Sequence, residues 1–330
     1  MENKEIASTQ GIEITKRQVR ERVGLYVYAS STLAAIASIE QAEAAGVRQV
    51  WVAQITPDPE ILTILMAAAA RTTSVRMGTA IVPTYPRHPL ALAQQALAVA
   101  ELAPDRLRLG IGPSHRSNIE GMYGIPMKSP HGHLREYITV LRAALWEGKV
   151  AHQGNYYRVQ ATLPNAPRVP ILVSALREGA FRLAGELADG VITWMCPASY
   201  LLEKGLPALQ EGAAKSGRPR PPLVAHVMVA LNRDRAEARA ALRAQFDSGR
   251  FHGRLPFYAN MFAEAGFPVA SDGSWSDELI DNLVISGNED EVTVRLSELL
   301  ARGLDELFVM PIPGNDTESQ ARLARLIGQL

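Results

Sequence analysis

Eight alternations of a short apolar run with a longer helix-period segment, spread over 330 residues, predict an α/β protein. Its parallel strands are expected to close into a (β/α)8 TIM barrel. Two further observations point the same way. The strand-like runs are dominated by Val, Ile, Leu and Met with little polar alternation, as expected where both faces of a strand are covered. One barrel of ~250 residues with insertions also accounts for the length without a second domain.

The expected strands are residues 23–28, 49–53, 76–82, 107–111, 170–174, 190–195, 223–231 and 306–310. The helices between them are expected at 32–45, 59–71, 90–103, 134–147, 178–187, 201–214, 235–248 and 290–302, with 317–330 closing the chain. A ninth strand-like run, 282–286, reads as a short extra piece before a helix. Residues 1–22 read as an N-terminal extension and 23–330 as the single barrel domain.

Two intervals exceed ordinary connection lengths and predict insertions after strands 4 and 7. The first, 113–132, is rich in Gly, Pro, Ser and His and reads as a long loop. The second, 250–281, carries Phe251, Phe257, Tyr258, Phe262, Phe267 and Trp275. Loops after the strands build the active sites of such barrels, so both are candidate substrate walls. A third interval, 152–170, has Gly154-Asn155 between short β-like runs and reads as a hairpin followed by a Pro-rich connector.

Composition narrows the function classes. Lys plus Arg and Asp plus Glu each total 34, so the zero net charge gives no reason to expect nucleic acid or an anionic membrane as partner. The lone cysteine, Cys196, permits no intrachain disulfide and fits a reducing compartment. Charged residues interrupt the N-terminus and no window nears the ~20 apolar residues of a membrane span, so a soluble cytoplasmic enzyme acting on a small molecule is expected. His131 and His133 have no nearby carboxylate or thiol partner, and no metal site is expected. Arg87-His88-Pro89 reads as a turn and cap ahead of a helix.

The most informative stretch is 77–115, from MGTAIVPTYPRHP to PDRLRLGIGPSH. It reads as two adjacent strands ending in small residues, Gly78, Thr79 and Ala80 on one and Gly110 and Gly112 on the other, where a flat ring could approach the backbone. Gly110-Ile111-Gly112 is not the dinucleotide fingerprint, because no third glycine opens the following helix. Ser174-Ala175-Leu176-Arg177-Glu178-Gly179 leaves a strand and starts a helix, whose first N–H groups and dipole can receive an anionic tail. His115, just beyond Gly112, is the best acid/base candidate, since imidazole exchanges a proton near neutral pH.

Stretch 77–115 resembles the third and fourth strands of the luciferase-like monooxygenase family, in particular its F420-dependent branch. Other segments agree in order and spacing: Ala42-Glu43-Ala44-Ala45-Gly46, His133-Leu134-Arg135-Glu136-Tyr137, Leu183 through Gly190, and Gly303-Leu304-Asp305-Glu306-Leu307. Together they span residues 23 to 311. The resemblance implies a planar deazaflavin, F420, or alternatively FMN, at the C-terminal mouth of the barrel. It places a non-prolyl cis peptide between Thr79 and Ala80 behind the central ring, with Gly110, Gly112 and Ser114 beside it. The phosphate and ribityl portion would lie near Ser174, Ala175, Leu176, Arg177 and Thr193.

The same resemblance sets His115 where the family's sugar-phosphate dehydrogenases carry a glutamate proton donor. Many relatives end strand two with Asp-His, whereas this chain has Gln54-Ile55, so the sugar-phosphate reaction is not expected. Tyr26, Gln54 and Trp194 are candidate substrate-pocket residues, with a structural amide or core packing as the competing readings. Hydride transfer by F420 is therefore expected, with reduction of C=C, C=N or C=O favoured. An FMN monooxygenase is the first alternative and a non-catalytic flavin-binding paralogue the second. Family members commonly pair as homodimers through helices on the barrel wall.

Overall fold

The computed structural model describes residues 15–55, 58–163, 166–314 and 316–330. Eight strands form a continuous parallel ring: β1 (Val23–Val27), β2 (Gln49–Val52), β3 (Arg76–Thr79), β4 (Leu107–Gly112), β5 (Ile171–Ser174), β6 (Gly190–Ile192), β7 (Leu223–Leu231) and β8 (Glu306–Pro311). Consecutive strands pair around the ring, and β8 pairs back onto β1 through Val23, Gly24 and Leu25 opposite Leu307, Phe308 and Val309. The expected closed barrel is what the chain forms, with helices outside each strand.

The strands are short because each needs only to cross the wall. Helices hold them by burying one face, as with Ile36, Ile39 and Ala42 of Thr32–Ala44. Side-chain caps fix where several helices begin: Ser31 accepts from Ala34 N, and Asp234 and Asn288 each open a reciprocal capping box. His88 caps Pro89–Leu102 through Nδ1, as its position before Pro89 suggests.

Several details depart from the sequence expectations. The strand expected over 76–82 breaks after Thr79, and a two-residue piece, Val82–Pro83, resumes pairing against Ile111 and Gly112. The non-prolyl cis peptide lies between Ala80 and Ile81, one residue later than the family resemblance implies. Ala80 N still donates to Val52 O at 2.7 Å, so the β2–β3 ladder extends through that amide before the chain departs. The interval 113–132 is not merely a loop, because Arg116–Tyr123 is helical and the next helix starts at Pro130. The interval 250–281 likewise contains helices Arg250–Gly253, Pro256–Glu264 and the start of Asp277–Leu283.

Two expected helices contain π-helical turns, Ala143–Glu147 and Leu201–Gly205. The second lies just before Pro207, whose missing N–H and ring disfavour the regular i→i−4 ladder there. The hairpin pairs Lys149–Gln153 with Arg158–Thr162, and Val284–Gly287 adds a strand beside the upper part of β7. Of the expected N-terminal extension, residues 1–14 lie outside the described residues. Lys16–Arg22 forms a helix beneath the barrel, where Arg22 donates to the carbonyls of Leu304 and Asp305.

The barrel axis is filled from below. Arg108 donates to both carboxylate oxygens of Glu306 at 2.6 and 2.9 Å and to Gln49 Oε1 at 3.1 Å. Its guanidinium lies 5.0 Å from the ring centroid of Trp51. Trp51 is fully buried and fits because Gly24 and Gly78 face it, where a Cβ would fall within 2.7 and 2.3 Å of the indole. Phe308 shares this layer, with its centroid 5.9 Å from Trp51.

The Arg108–Glu306 side chains are only 13% and 16% exposed. Removing one partner strands the other charge in a dry place, which costs about 3–5 kcal/mol. Glu306→Leu is therefore expected to lower the urea-unfolding free energy by about that amount, and Arg108→Met added to it should restore most of the loss. Equal stability of the single variant and the parent would show that the pair does not close the floor.

Candidate active site

Above Trp51 and Phe308 the strands end in a second aromatic layer. Trp194 stacks on His226 at 4.2 Å with 17° between planes, and Tyr26 meets the indole edge-on at 5.8 Å. His226 is held by Met195 N, which donates to its Nδ1 at 3.3 Å. Over this layer opens a cavity of 550 Å³, a size suited to a cofactor-scale ligand.

Of the residues singled out in the sequence, Gln54, Ala80, Ser114, His115, Ser174, Ala175, Leu176, Arg177, Thr193 and Trp194 line the cavity. Thr79, Gly110, Gly112 and Tyr26 are not among its lining residues. Thr79 is fully buried, and its hydroxyl donates to Gly110 O at 2.7 Å. A Cβ on Gly110 would fall 1.9 Å from the Thr79 carbonyl oxygen, and one on Gly112 would fall 2.1 Å from Ser174 Oγ. These glycines let β3, β4 and β5 close up behind the cavity. Here the small residues serve wall against wall.

Gln54 reaches the cavity, but its side-chain amide is consumed by the chain. Its Nε2 donates to the carbonyls of Asp58 and Pro59 at 3.2 and 3.3 Å, and its Oε1 accepts from Ile61 N at 3.0 Å. The end of β2 therefore presents an anchored amide at Gln54, followed by the apolar Ile55.

The opposite wall comes from the long segment after β7. Phe246, Phe251, His252, Phe257 and Tyr258 face Ile55, Met127 and His115 across the opening. His115 stacks on Phe257 at 5.8 Å and 15°, and has Phe251 edge-on at 5.7 Å. His252, a lone histidine inside an aromatic stretch that the sequence reading did not single out, lies 6.1 Å from His115 between ring centroids.

Burial sets the charge of these rings. It pushes the His115 pKa below its ordinary value, and it pushes His252 and His226 down to about 3. The neighbouring imidazole of His115 lowers His252 further. The site thus holds neutral histidines near pH 7, a state suited to donating a hydrogen bond or accepting a proton and poorly suited to standing as imidazolium. Cys196, below the cavity, is buried with its thiol pKa pushed up to about 12, which leaves it inert as a nucleophile.

Among the described lining residues, Arg177 is the charged side chain. Its Nη2 donates to Glu264 Oε1 at 2.5 Å, while Nη1 has no partner. Arg177 is also the N-cap residue of helix Glu178–Leu187, which has no side-chain cap. A largely apolar cavity, lined by Ala53, Ala80, Ile81, Ser174 and Ala175, thus reaches an uncapped helix start beside a guanidinium.

Fold and site together define an α/β barrel with its chemistry at the C-terminal mouth. A model of the luciferase-like monooxygenase family matches residues 18–306, and the chain belongs to that family. An F420-dependent glucose-6-phosphate dehydrogenase from Beutenbergia cavernae is 32% identical over 262 residues, covering 76% of each chain. Two solved structures share the fold. An F420-dependent secondary alcohol dehydrogenase, in complex with an F420–acetone adduct, has a TM-score of 0.78 at 19% identity, covering 93% of this chain and 98% of its own. The oxygenating constituent of 3,6-diketocamphane monooxygenase from the Pseudomonas putida CAM plasmid, in complex with FMN, has a TM-score of 0.74 at 18% identity, covering 93% and 96%.

The neutral histidines make stability depend on pH. His226, His252 and His133, the last pushed down to about 4 by burial, have folded pKa values below the ordinary ~6.5 of the unfolded chain. Their contribution is complete above pH ~6.5 and declines as pH falls toward the folded values, by roughly 1.4 kcal/mol per unit for each. Urea-unfolding free energies should therefore drop by several kcal/mol between pH 7 and pH 5, and His226→Leu should flatten part of that slope. A level profile over this range would contradict neutral burial.

Proposed function

We propose that this chain is an F420-dependent oxidoreductase that reduces a C=C, C=N or C=O bond of a small organic substrate. The observation that carries this reading is the largely apolar cavity that reaches the uncapped start of Glu178–Leu187 beside Arg177. That combination suits an apolar tricyclic ring with an acidic tail. The similarity to an F420-dependent relative at 32% identity supports the deazaflavin over FMN, a choice that likeness of fold leaves open because F420 and FMN proteins share it.

The residues divide the work by chemistry. Ala80, Ile81, Ser174 and Ala175 would flank the ring, because their small or apolar side chains leave room for a planar group. The helix start and Arg177 would hold the tail, whose negative charge favours free N–H groups and the positive end of the dipole. When bound, the cofactor supplies hydride. His115 would meet the substrate heteroatom from the β4 side, its neutral imidazole donating a hydrogen bond that stabilises the developing negative charge, and the proton that completes the reduction would come from solvent through the cavity mouth. The aromatic segment after β7 would exclude water from the reacting bond. Reduction is the favoured direction because the end of β2 carries Gln54-Ile55 where the dehydrogenase-type Asp-His of the resemblance would stand, and the Gln54 amide is anchored to the chain.

Fluorescence titration of the purified protein with F420 and with FMN checks the cofactor. F420 is expected to bind at least tenfold more tightly, and tighter FMN binding with oxygen consumption would overturn the assignment. With reduced F420 and a panel of enones and imines, His115→Ala is expected to lower kcat/KM by about 10²–10⁴, with cofactor affinity retained. Unchanged turnover in that variant would remove His115 from the chemistry.

A further inference from the structure

The wall facing His115 has no role in the reading above beyond keeping water out, yet it carries a second imidazole. His115 and His252 share one feature: Nδ1 of each is sealed within the protein and has no hydrogen-bond partner. That leaves Nε2 as the nitrogen available to the cavity that both residues line. A neutral imidazole carries a single N–H; sealed Nδ1 is unpaired in either tautomer, and only an N–H on Nε2 can be satisfied by a group in the cavity. The proton is better placed on Nε2, so each ring presents one donor to the opening.

The two rings stand 6.1 Å apart, 82° between planes. Two N–H···O bonds of about 2.9 Å to a single oxygen need donors no more than about 5.8 Å apart, a spacing these rings can supply. The surroundings are apolar and aromatic. Phe257 stacks on His115, Phe251 meets both rings edge-on, and Tyr258 approaches both at 6.0 and 5.0 Å. Burial raises the Tyr258 pKa, which keeps its phenol neutral. Phe246 and Trp275 complete the contacts of His252. Arg250, the adjacent cation, is engaged by Asp247 and Asp272, and Arg177 by Glu264.

The geometry points to a two-histidine subsite, His115 with His252, that takes the carbonyl oxygen of a neutral, ring-bearing ketone or enone between aromatic walls. This rests on the reading that the cavity is where substrate sits, and it names the class of substrate. A carbonyl oxygen has two lone pairs and accepts both donors, while the ring replaces water against Phe251 and Phe257. Phosphate or carboxylate would enter an apolar place where the described lining residues of this wall include no cation, and would lose hydration without replacement. His252 is therefore the residue that sets the preference for carbonyl compounds.

Binding to the cofactor-free protein tests the subsite without turnover. Acetophenone, its oxygen-free analogue ethylbenzene, benzoate and glucose 6-phosphate would be compared by ligand-observed NMR or calorimetry. The parent is expected to bind acetophenone at least tenfold more tightly than ethylbenzene, and more tightly than either anion. His252→Phe should lower the preference over ethylbenzene at least threefold, His115 still donating, while His252→Gln, which keeps an N–H donor, should restore part of it. An unchanged F420 titration or melting midpoint certifies that each variant is folded. Equal binding of acetophenone and ethylbenzene by the parent, an unchanged ratio in His252→Phe, or tighter binding of an anion would each overturn the proposal. Loss of F420 preference with the acetophenone ratio intact would instead overturn the cofactor assignment and leave the subsite standing.

Discussion

The filling of the barrel axis is the constraint on which the rest depends. A closed ring of eight strands encloses a channel that must be occupied, and here it is packed from the floor upward. Arg108 and Glu306 lie lowest, Trp51 and Phe308 above them, and the stacked Trp194 and His226 above those. Gly24 and Gly78 admit the Trp51 indole, so one large side chain performs what several smaller ones do in other barrels. Because the column stops at Trp194, the space above it is a cavity and not a core. Its position at the strand ends follows from where the filling runs out.

The character of the cavity follows from what the column leaves uncharged. His226 lies stacked against Trp194, which lines the cavity, and His115 and His252 form part of its walls; burial holds all three pKa values below the ordinary one. The guanidinium that reaches the lining, Arg177, is joined to Glu264. Field strength in such a place comes from N–H dipoles and one helix start. This favours a neutral reactant and a cofactor whose charge is confined to its tail.

How much of this could be read from the sequence depended on the range of the interaction involved. The strands were legible because covering both faces of a strand writes a continuous apolar run, and Glu178–Leu187 because a strand-exit turn meets a strong helical period. The glycines of β4 were legible as sites of close approach, but not their partners, since Gly110 against Thr79 and Gly112 against Ser174 are contacts between strands that only the closed ring brings together. The helices inside 250–281 were hidden because their apolar residues serve the cavity and Trp275 as well as a helical face. His252 left no signal, since a single histidine in an aromatic stretch acquires meaning from His115, 137 residues away in sequence. Gln54-Ile55 could be seen to differ from the Asp-His of the resemblance, but the anchoring of Gln54 to Asp58, Pro59 and Ile61 could not.

The neck of the aromatic segment has a consequence of its own. Trp275 N donates to Ser248 O at 3.0 Å, and Gly249, at φ +80°, passes so close to the Trp275 indole that any side chain there would collide with it. The two ends of a stretch of more than two dozen residues are thereby pinned side by side. A segment tied off in this way is modular: its interior can be rewritten in length and composition without disturbing the register of any stave. One cylinder can thus accommodate different guests by exchanging the cassette that overhangs it.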